Sequence, residues 1–505
     1  MLELLEDEGT RTVGHWIDGK PTPGRSTETL PVWNPATGRE QARVLLATQE
    51  DVDAAVASAA RAAPGWGQAS LSARSGVLFA FRELVASHLD ELAAIITVEH
   101  GKVLADARGE LQRGLEVVEF ACGLPHLLKG AYSDQVSAGV DSYGWREPLG
   151  VVAGITPFNF PAMVPMWMHP VAIACGNAFV LKPSERDPSA SLLVAELWAR
   201  AGLPDGVFSV LQGDARAVDA LLDHPGVHAI SFVGSTPVAR HVHQRATAAG
   251  KRVQALGGAK NHAIVLPDAD LEHAAGQLIA AGYGSAGQRC MAVSVVVAVD
   301  PIADELVEAL RRKASALTVG PGDDPASDLG PVITAAARER IAGYVGAGAA
   351  DGATVVLDGR EPERRVGGEG FFLGPSLLDR VTPAMSVYTD EIFGPVLVVV
   401  RVPDLDAAIG LVNASPYANG VAIFTGSGEA ARRFQRGVQV GMIGINVPIP
   451  VPMAYHSFGG LKDSLFGEHH LHGVEGVHFY TRAKIVTSRW PSAPEAATLH
   501  FPTAR

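Results

Sequence analysis

From about residue 150 onward, short runs of apolar and β-branched residues alternate with longer stretches in which apolar positions recur every three or four residues. That alternation predicts parallel strands joined by crossover helices, because a strand covered by helices on both faces is apolar at every position. Strands are expected over 151–156, 178–181, 207–211 and 228–233, with helices near 162–175, 188–201, 214–223 and 236–249. The unit so described is a doubly wound nucleotide-binding core. A second series follows, with strands over 262–266, 294–298 and 396–400 and a helix from about Leu271, and it predicts a second α/β domain. Residues 350–370, rich in Gly, Arg and Glu, read as surface loops. Residues 1–12 and the tail after Pro491 read as loosely structured or dependent on a partner.

Composition narrows the function. A chain of 505 residues is too long for one ordinary core, so two or three domains are expected. The net charge of -13 comes from acidic and basic residues interspersed along the chain, which argues against a nucleic-acid partner. The longest apolar stretches are broken by Pro, Gly or Asn before the ~20 residues that a membrane helix needs. Cys122, Cys175 and Cys290 are odd in number and far apart, so no disulfide framework and no metal site is expected. With an acidic start that resembles no targeting segment, the expected location is cytoplasmic.

Several segments carry chemistry. Gly287-Gln-Arg-Cys290 follows a small, Gly-rich helical stretch and precedes an apolar run, which puts a thiol at a junction between elements. Helix dipoles and Arg289 are expected to favour its thiolate. Thr156-Pro-Phe-Asn-Phe-Pro161 ends the first strand, so Asn159 is expected at the carboxyl edge of the sheet, where ligands bind and an amide can donate to an oxyanion. Lys182 and Glu185 leave the same edge after the next strand. A carboxylate there accepts from a free 2′-hydroxyl and repels a 2′-phosphate, favouring NAD over NADP. Phe232-Val-Gly-Ser-Thr236 ends another strand and opens a helix, so Gly234 and Ser235 are candidates to meet a pyrophosphate. Gly282-Tyr-Gly-Ser-Ala-Gly287 matches the GxGxxG pattern but follows a helix, and is no dinucleotide fingerprint.

In sequence order, these motifs together with Glu391-Ile-Phe-Gly-Pro395 resemble the aldehyde dehydrogenase superfamily over nearly the whole chain. The resemblance implies an α/β fold with a Rossmann-type NAD domain (1–128 and 149–258), an α/β catalytic domain (259–458) and a small β oligomerisation element (129–148 and 474–490, including a strand over 476–480). It implies Cys290 as nucleophile and Asn159 as oxyanion donor. Thr156, Phe158, Lys182, Glu185, Gly234, Ser235, Glu391 and Phe393 are implied as cofactor contacts, and a homotetramer as the assembly.

One departure from the family pattern matters. Most members carry a glutamate in a Glu-Leu-Gly-Gly stretch, which activates the water that hydrolyses the acyl-enzyme. Here the stretch reads Gln254-Ala-Leu-Gly-Gly-Ala-Lys-Asn-His262, and no carboxylate falls in it. The position of the usual base is Leu256 in one register and Ala255 in the other. The GAKNH and GQRCMA stretches, with Ser457–Lys462 and Tyr480–Lys484, are similar to the methylmalonate-semialdehyde dehydrogenase branch. That similarity implies coenzyme A as co-substrate, a semialdehyde substrate, and recognition of its carboxylate by Arg289 and Arg113. By the residues alone, Arg113 could equally pair with Glu110 or Glu116 on its own helix. The alternatives to an acylating enzyme are an ordinary aldehyde dehydrogenase that releases free acid and a cofactor-binding homologue without catalysis.

Overall fold

The protein is described by a computed structural model covering residues 11–362 and 369–490. An eight-stranded sheet has at its centre five parallel strands in the spatial order Arg252–Leu256, Ala229–Val233, Val151–Ile155, Ala178–Lys182 and Phe208–Val210. Antiparallel strands Leu465–Phe466 and His15–Ile17 flank them, with Lys20–Thr22 outermost on the latter side. Helices Met163–Ala174, Ser189–Arg200, Ala215–Asp223 and Thr236–Ala248 make the crossovers, as the periodicity predicts.

The two faces of this sheet feed two separate cores. Phe179 and Leu181 point into one, and Ala178 and Val180 into the other. This is the period-two alternation of a strand buried on both sides. A Cβ at Gly154 would lie 2.4 Å from the Phe179 ring, so the central strand lacks a side chain where its neighbour's ring crosses. Burying that ring is worth about 1.5–3 kcal/mol.

The second sheet has seven strands, ordered Thr354–Leu357, Ser376–Asp379, Val396–Val402, Val293–Val299, Asn261–Val265, Gly420–Phe424 and Met442–Ile445, and only the first pair is antiparallel. Its valine-rich centre forms a core of its own. A third sheet of three antiparallel strands joins Ala131–Ser137, Val140–Pro148 and Thr481–Arg489.

Three expectations change. Residues 476–480 do not form a strand: Gly473–Phe479 is a helix, and the strand beside Val140–Pro148 starts at Thr481. Gly473, Gly476 and Val477 are buried at helical spacing, with Gly476 lying over Val171. A short apolar run cannot by itself distinguish the two periods. Within 350–370, Thr354–Leu357 is an edge strand of the second sheet rather than a loop, while 363–368 lies outside the described residues. Arg11 and Thr12 belong to a strand, Arg11–Val13, paired with Ala42–Val44; residues 1–10 and the tail from Pro491 lie outside the described residues. Among the described residues, no helix is long and apolar enough to cross a membrane.

Candidate active site

Cys290 is placed by an unusual turn. Helix Leu271–Tyr283 ends in a tight 3-10 turn, Gly284–Gly287, in which Ser285, Ala286 and Gly287 all take left-handed backbone angles (φ 53°, 52° and 69°). For Ser and Ala that conformation is unfavourable and persists only where packing enforces it. Here the packing comes from the 391–395 loop: a Cβ at Gly287 would sit 2.1 Å from the Gly394 carbonyl oxygen, so only glycine allows the approach. Phe393 is itself left-handed (φ 54°). The GQRC and EIFGP motifs, about a hundred residues apart in sequence, thereby meet. Cys290, Arg289, Asn261, Ala259, Glu391 and Phe393 line one small cavity. The turn also bears out that GYGSAG is not a strand-to-helix phosphate loop.

Two buried asparagines fix the backbone of the thiol. Asn261 Nδ2 donates to the carbonyls of Cys290 (2.9 Å) and Ala292 (2.9 Å), while its Oδ1 accepts from Gly420 N–H (3.1 Å). Asn419 Nδ2 donates to the Cys290 carbonyl (3.4 Å) and to Met291 Sδ (3.0 Å). Asn261 lies in the stretch that attracted notice only for its missing glutamate, and no sequence signal marks Asn419.

The expected depression of the thiol pKa does not occur. Burial pushes the Cys290 thiol up to about 12, and the Glu391 carboxylate pushes the same way. The N–H groups of Cys290 and Met291 and the charge of Arg289 oppose this and lose. Arg289 loses because its guanidinium already pairs with Asp106 (2.7 Å), which cancels much of its field at the sulfur. No helix begins at the thiol either, since the chain after Cys290 passes into strand Val293–Val299.

Asn159 lies just past strand Val151–Ile155 and is buried. Its carbonyl accepts from Lys102 Nζ at 2.6 Å, and among the described residues its side-chain amide has no hydrogen-bond partner. The residues on either side tie it to the thiol's surroundings. The Phe158 ring meets Phe393 edge-on at 5.9 Å, and Phe160 and Cys290 pack against the same core.

The remaining candidates follow the carboxyl edge of the first sheet. Among the described residues, Thr156 Oγ1 is buried without a partner. Lys182 Nζ and Glu185 Oε2 are 3.0 Å apart. Burial raises the Glu185 pKa, but Lys182 and hydrogen bonding outweigh it, and the carboxyl ends below its ordinary value. Ser235 caps helix Thr236–Ala248 by position without a side-chain hydrogen bond, so that N-terminus keeps donors to offer. The Gly234 N–H, by contrast, is already given to the Leu256 carbonyl (3.1 Å).

Glu391 docks on the stretch that lacks the glutamate. Its Oε1 accepts from Ala259 N–H (3.0 Å), and a Cβ at Gly258 would lie 2.4 Å from its Oε2. Burial raises the Glu391 pKa against that N–H and the charges of Lys260 and Arg340. Lys260 Nζ donates to the carbonyls of Val387 (2.8 Å) and Asp390 (2.6 Å), clamping the turn that presents Glu391. Burial lowers the Lys260 pKa to about 8 against the pull of Glu391 and Asp390. Of the two registers for the missing base, Leu256 faces the core that Cys290 packs against, whereas Ala255 faces the opposite one.

Arg113 stands apart from this cavity's lining. It pairs with Glu116 rather than Glu110 and donates to the Pro452 carbonyl at 2.7 Å. Glu110 is engaged elsewhere, with Lys102.

Residues 22–486 match the model of the aldehyde dehydrogenase family. The chain belongs to the aldehyde dehydrogenase family. Among its relatives, a malonate-semialdehyde dehydrogenase of Pseudomonas aeruginosa is 52% identical over 97% of this chain and 99% of the relative. A methylmalonate-semialdehyde dehydrogenase structure from Oceanimonas doudoroffii is 53% identical with a TM-score of 0.95, covering 96% of this chain and 99% of that one. A Sinorhizobium meliloti structure solved in complex with NAD is 50% identical, again with a TM-score of 0.95 and coverage of 96% and 99%.

Proposed function

We propose that this aldehyde dehydrogenase oxidises malonate or methylmalonate semialdehyde with NAD, passes the acyl group from Cys290 to coenzyme A, and releases carbon dioxide and acetyl- or propionyl-coenzyme A. The observation that carries this reading is Leu256. The position facing the thiol's core from the end of strand Arg252–Leu256, where a hydrolytic base would stand, is a leucine. Water then lacks activation, and a thiolate, with its lower pKa, is the better acceptor of the acyl group. The names of the relatives support the substrate class.

Cys290 Sγ, once its proton is lost, attacks the aldehyde carbon. The Asn159 amide and the N–H groups of Cys290 and Met291 stabilise the alkoxide that forms. NAD, when bound, supplies the hydride acceptor. The unpartnered Thr156 hydroxyl, the Lys182–Glu185 pair and the helix end at Ser235 fit such a group, with Phe158, Gly234, Glu391 and Phe393 completing its surroundings. Once the thioester exists, it stabilises a carbanion at the neighbouring carbon, so the substrate's carboxylate can depart as carbon dioxide. The carbanion takes up a proton, and the coenzyme A thiolate displaces Cys290.

With NAD and semialdehyde but no coenzyme A, rapid mixing will give a burst of about one NADH per active site followed by slow turnover, and coenzyme A will restore fast turnover and a thioester product. Burst-free production of free acid without coenzyme A would overturn the acylating reading. It would promote hydrolysis, which one observation favours: Glu391 lies in the cavity with Cys290 and could serve as base there.

Arg289 and Arg113 are assigned to the substrate carboxylate. A charge-assisted hydrogen bond is typically worth about 1.5–3 kcal/mol, so either Arg→Ala change will lower kcat/KM for semialdehyde by roughly ten- to a hundredfold more than for propanal. Equal losses on both aldehydes would remove the assignment.

The domain boundaries given above, a cytoplasmic location and a homotetramer belong to the same proposal. The three-stranded sheet supports the last of these, since it exposes Tyr132, Trp145 and Ile485. A cleft of about 660 Å³ beside it is lined by Trp145, Arg146 and Arg482.

A further inference from the structure

We infer that the buried pair Lys102–Glu110 is the positioning device for Asn159, holding the oxyanion amide by its backbone from beneath the site; this rests on the reading of Asn159 given above. Both side chains are almost completely inaccessible (1% and 0% exposed). Burying an ion pair is costly, and apolar side chains of similar volume often stabilise a protein at least as well. A role beyond stability therefore has to be sought in what else the pair touches.

The partners of the pair are not scattered through the core. Lys102 Nζ donates to Glu110 Oε2 (2.5 Å) and to the Asn159 carbonyl (2.6 Å), and it lies 4.5 Å from the centre of the Phe160 ring. Glu110 Oε1 accepts from the N–H groups of Ala162 (3.0 Å) and Met163 (3.1 Å), at the start of helix Met163–Ala174, which has no side-chain cap of its own. One ion pair thus grips the main chain of residues 159–163 at both ends. The side chains of the same segment are held separately: Phe158 by His100 (5.9 Å) and Phe393 (5.9 Å), and Phe160 by the ammonium itself. The Asn159 amide is the polar group of this segment left without a partner among the described residues, while its peptide is fixed by a charge.

The geometry explains why a charge is used. A neutral donor could hold the Asn159 carbonyl, but Lys102 must also neutralise Glu110, whose carboxylate is what binds two N–H groups at the helix start. Lys102 comes from the segment between helices Leu89–His100 and Leu104–Cys122, and Glu110 from the second of these. The helical layer under the sheet thereby dictates where the amide stands. Since a misplacement of about 1 Å at a reacting centre costs on the order of a hundredfold in rate, the pair acts on catalysis without touching substrate.

The test is a cycle of variants read by the rate constant of the NADH burst. Lys102→Met alone strands a buried carboxylate and will lower the melting temperature. Lys102→Met/Glu110→Gln removes both charges while keeping an oxygen for Ala162 and Met163 N–H, and will restore the melting temperature to near that of the parent. In an otherwise unchanged chain, the double variant will slow the burst by about ten- to a hundredfold, with little change in aldehyde KM. In an Asn159→Ala background the same double variant will slow it by less than about twofold, because nothing is left to misplace. Equal losses in both backgrounds, or a wild-type burst from the double variant, would overturn the inference. An Asn159→Ala variant with an undiminished burst would instead overturn the reading of Asn159 on which it rests.

Discussion

Cys290→Ser will lower NADH formation from either semialdehyde by about 10⁴-fold or more, because a serine hydroxyl ionises far less readily than a thiol and a nucleophile acts as part of a unit whose loss is not compensated. NAD binding, followed by quenching of protein fluorescence, will be unchanged. No other thiol can take over, since Cys122 and Cys175 are buried in the core under the first sheet and neither lines the cavity that holds Cys290. The wild-type enzyme offers a complementary readout. With the free thiol near 12, alkylation of Cys290 will rise about tenfold per pH unit between pH 7 and pH 10. A plateau near neutral pH would mean that the thiolate is already formed in the free protein. Retained turnover in Cys290→Ser within tenfold of wild type would remove Cys290 as nucleophile.

Asn159→Ala will slow the burst by about 10²- to 10³-fold, the usual consequence of deleting one oxyanion donor in a site closed to water. The aldehyde KM will move much less, because the amide meets the oxygen strongly only when charge develops on it. The melting temperature will be almost unaltered, since the amide has no partner to lose. The experiment is a single-turnover measurement with NAD in excess. A change below threefold would leave the two N–H groups at Cys290 and Met291 as the oxyanion site and return Asn159 to the status of a turn residue.

The fold was legible where one rule governed it. Four of the five parallel strands of the first sheet and their four crossover helices each obey a single period, and the structure has them within a few residues of the expected bounds, while the fifth strand, Arg252–Leu256, was not among those expected. The strand over 476–480 was implied by the resemblance rather than read from periodicity, and most of it lies in the helix Gly473–Phe479, since five apolar-leaning residues fit either period. The edge strand Thr354–Leu357 was hidden by the Gly- and Arg-rich composition around it.

The candidate site was legible as a set of motifs but not as an electrostatic environment. Arg289 beside Cys290 reads as an activating charge in one dimension. In three dimensions Asp106, from a helix 183 positions away, takes up that charge, and desolvation then decides the thiol. Glu110 likewise reads as a neighbour of Arg113, three residues on, yet it turns inward to Lys102 while Arg113 turns to Glu116.

What the sequence determined by itself is the chemistry on offer: which thiol, which amide and which carboxylates stand at the ends of strands, and that the stretch from Gln254 to His262 contains no base. Local patterns suffice for this, because strand ends and turn residues are set by neighbours in the chain. Only the tertiary structure decided which of the two register positions faces the core that Cys290 packs against, which cations are already spent on carboxylates, that Asn261 and Asn419 hold the Cys290 carbonyl, and that Lys102 joins Glu110 to the Asn159 carbonyl. Those depend on contacts between segments tens to hundreds of residues apart, where burial sets the cost of each charge and the partner that meets it is fixed by packing rather than by spacing.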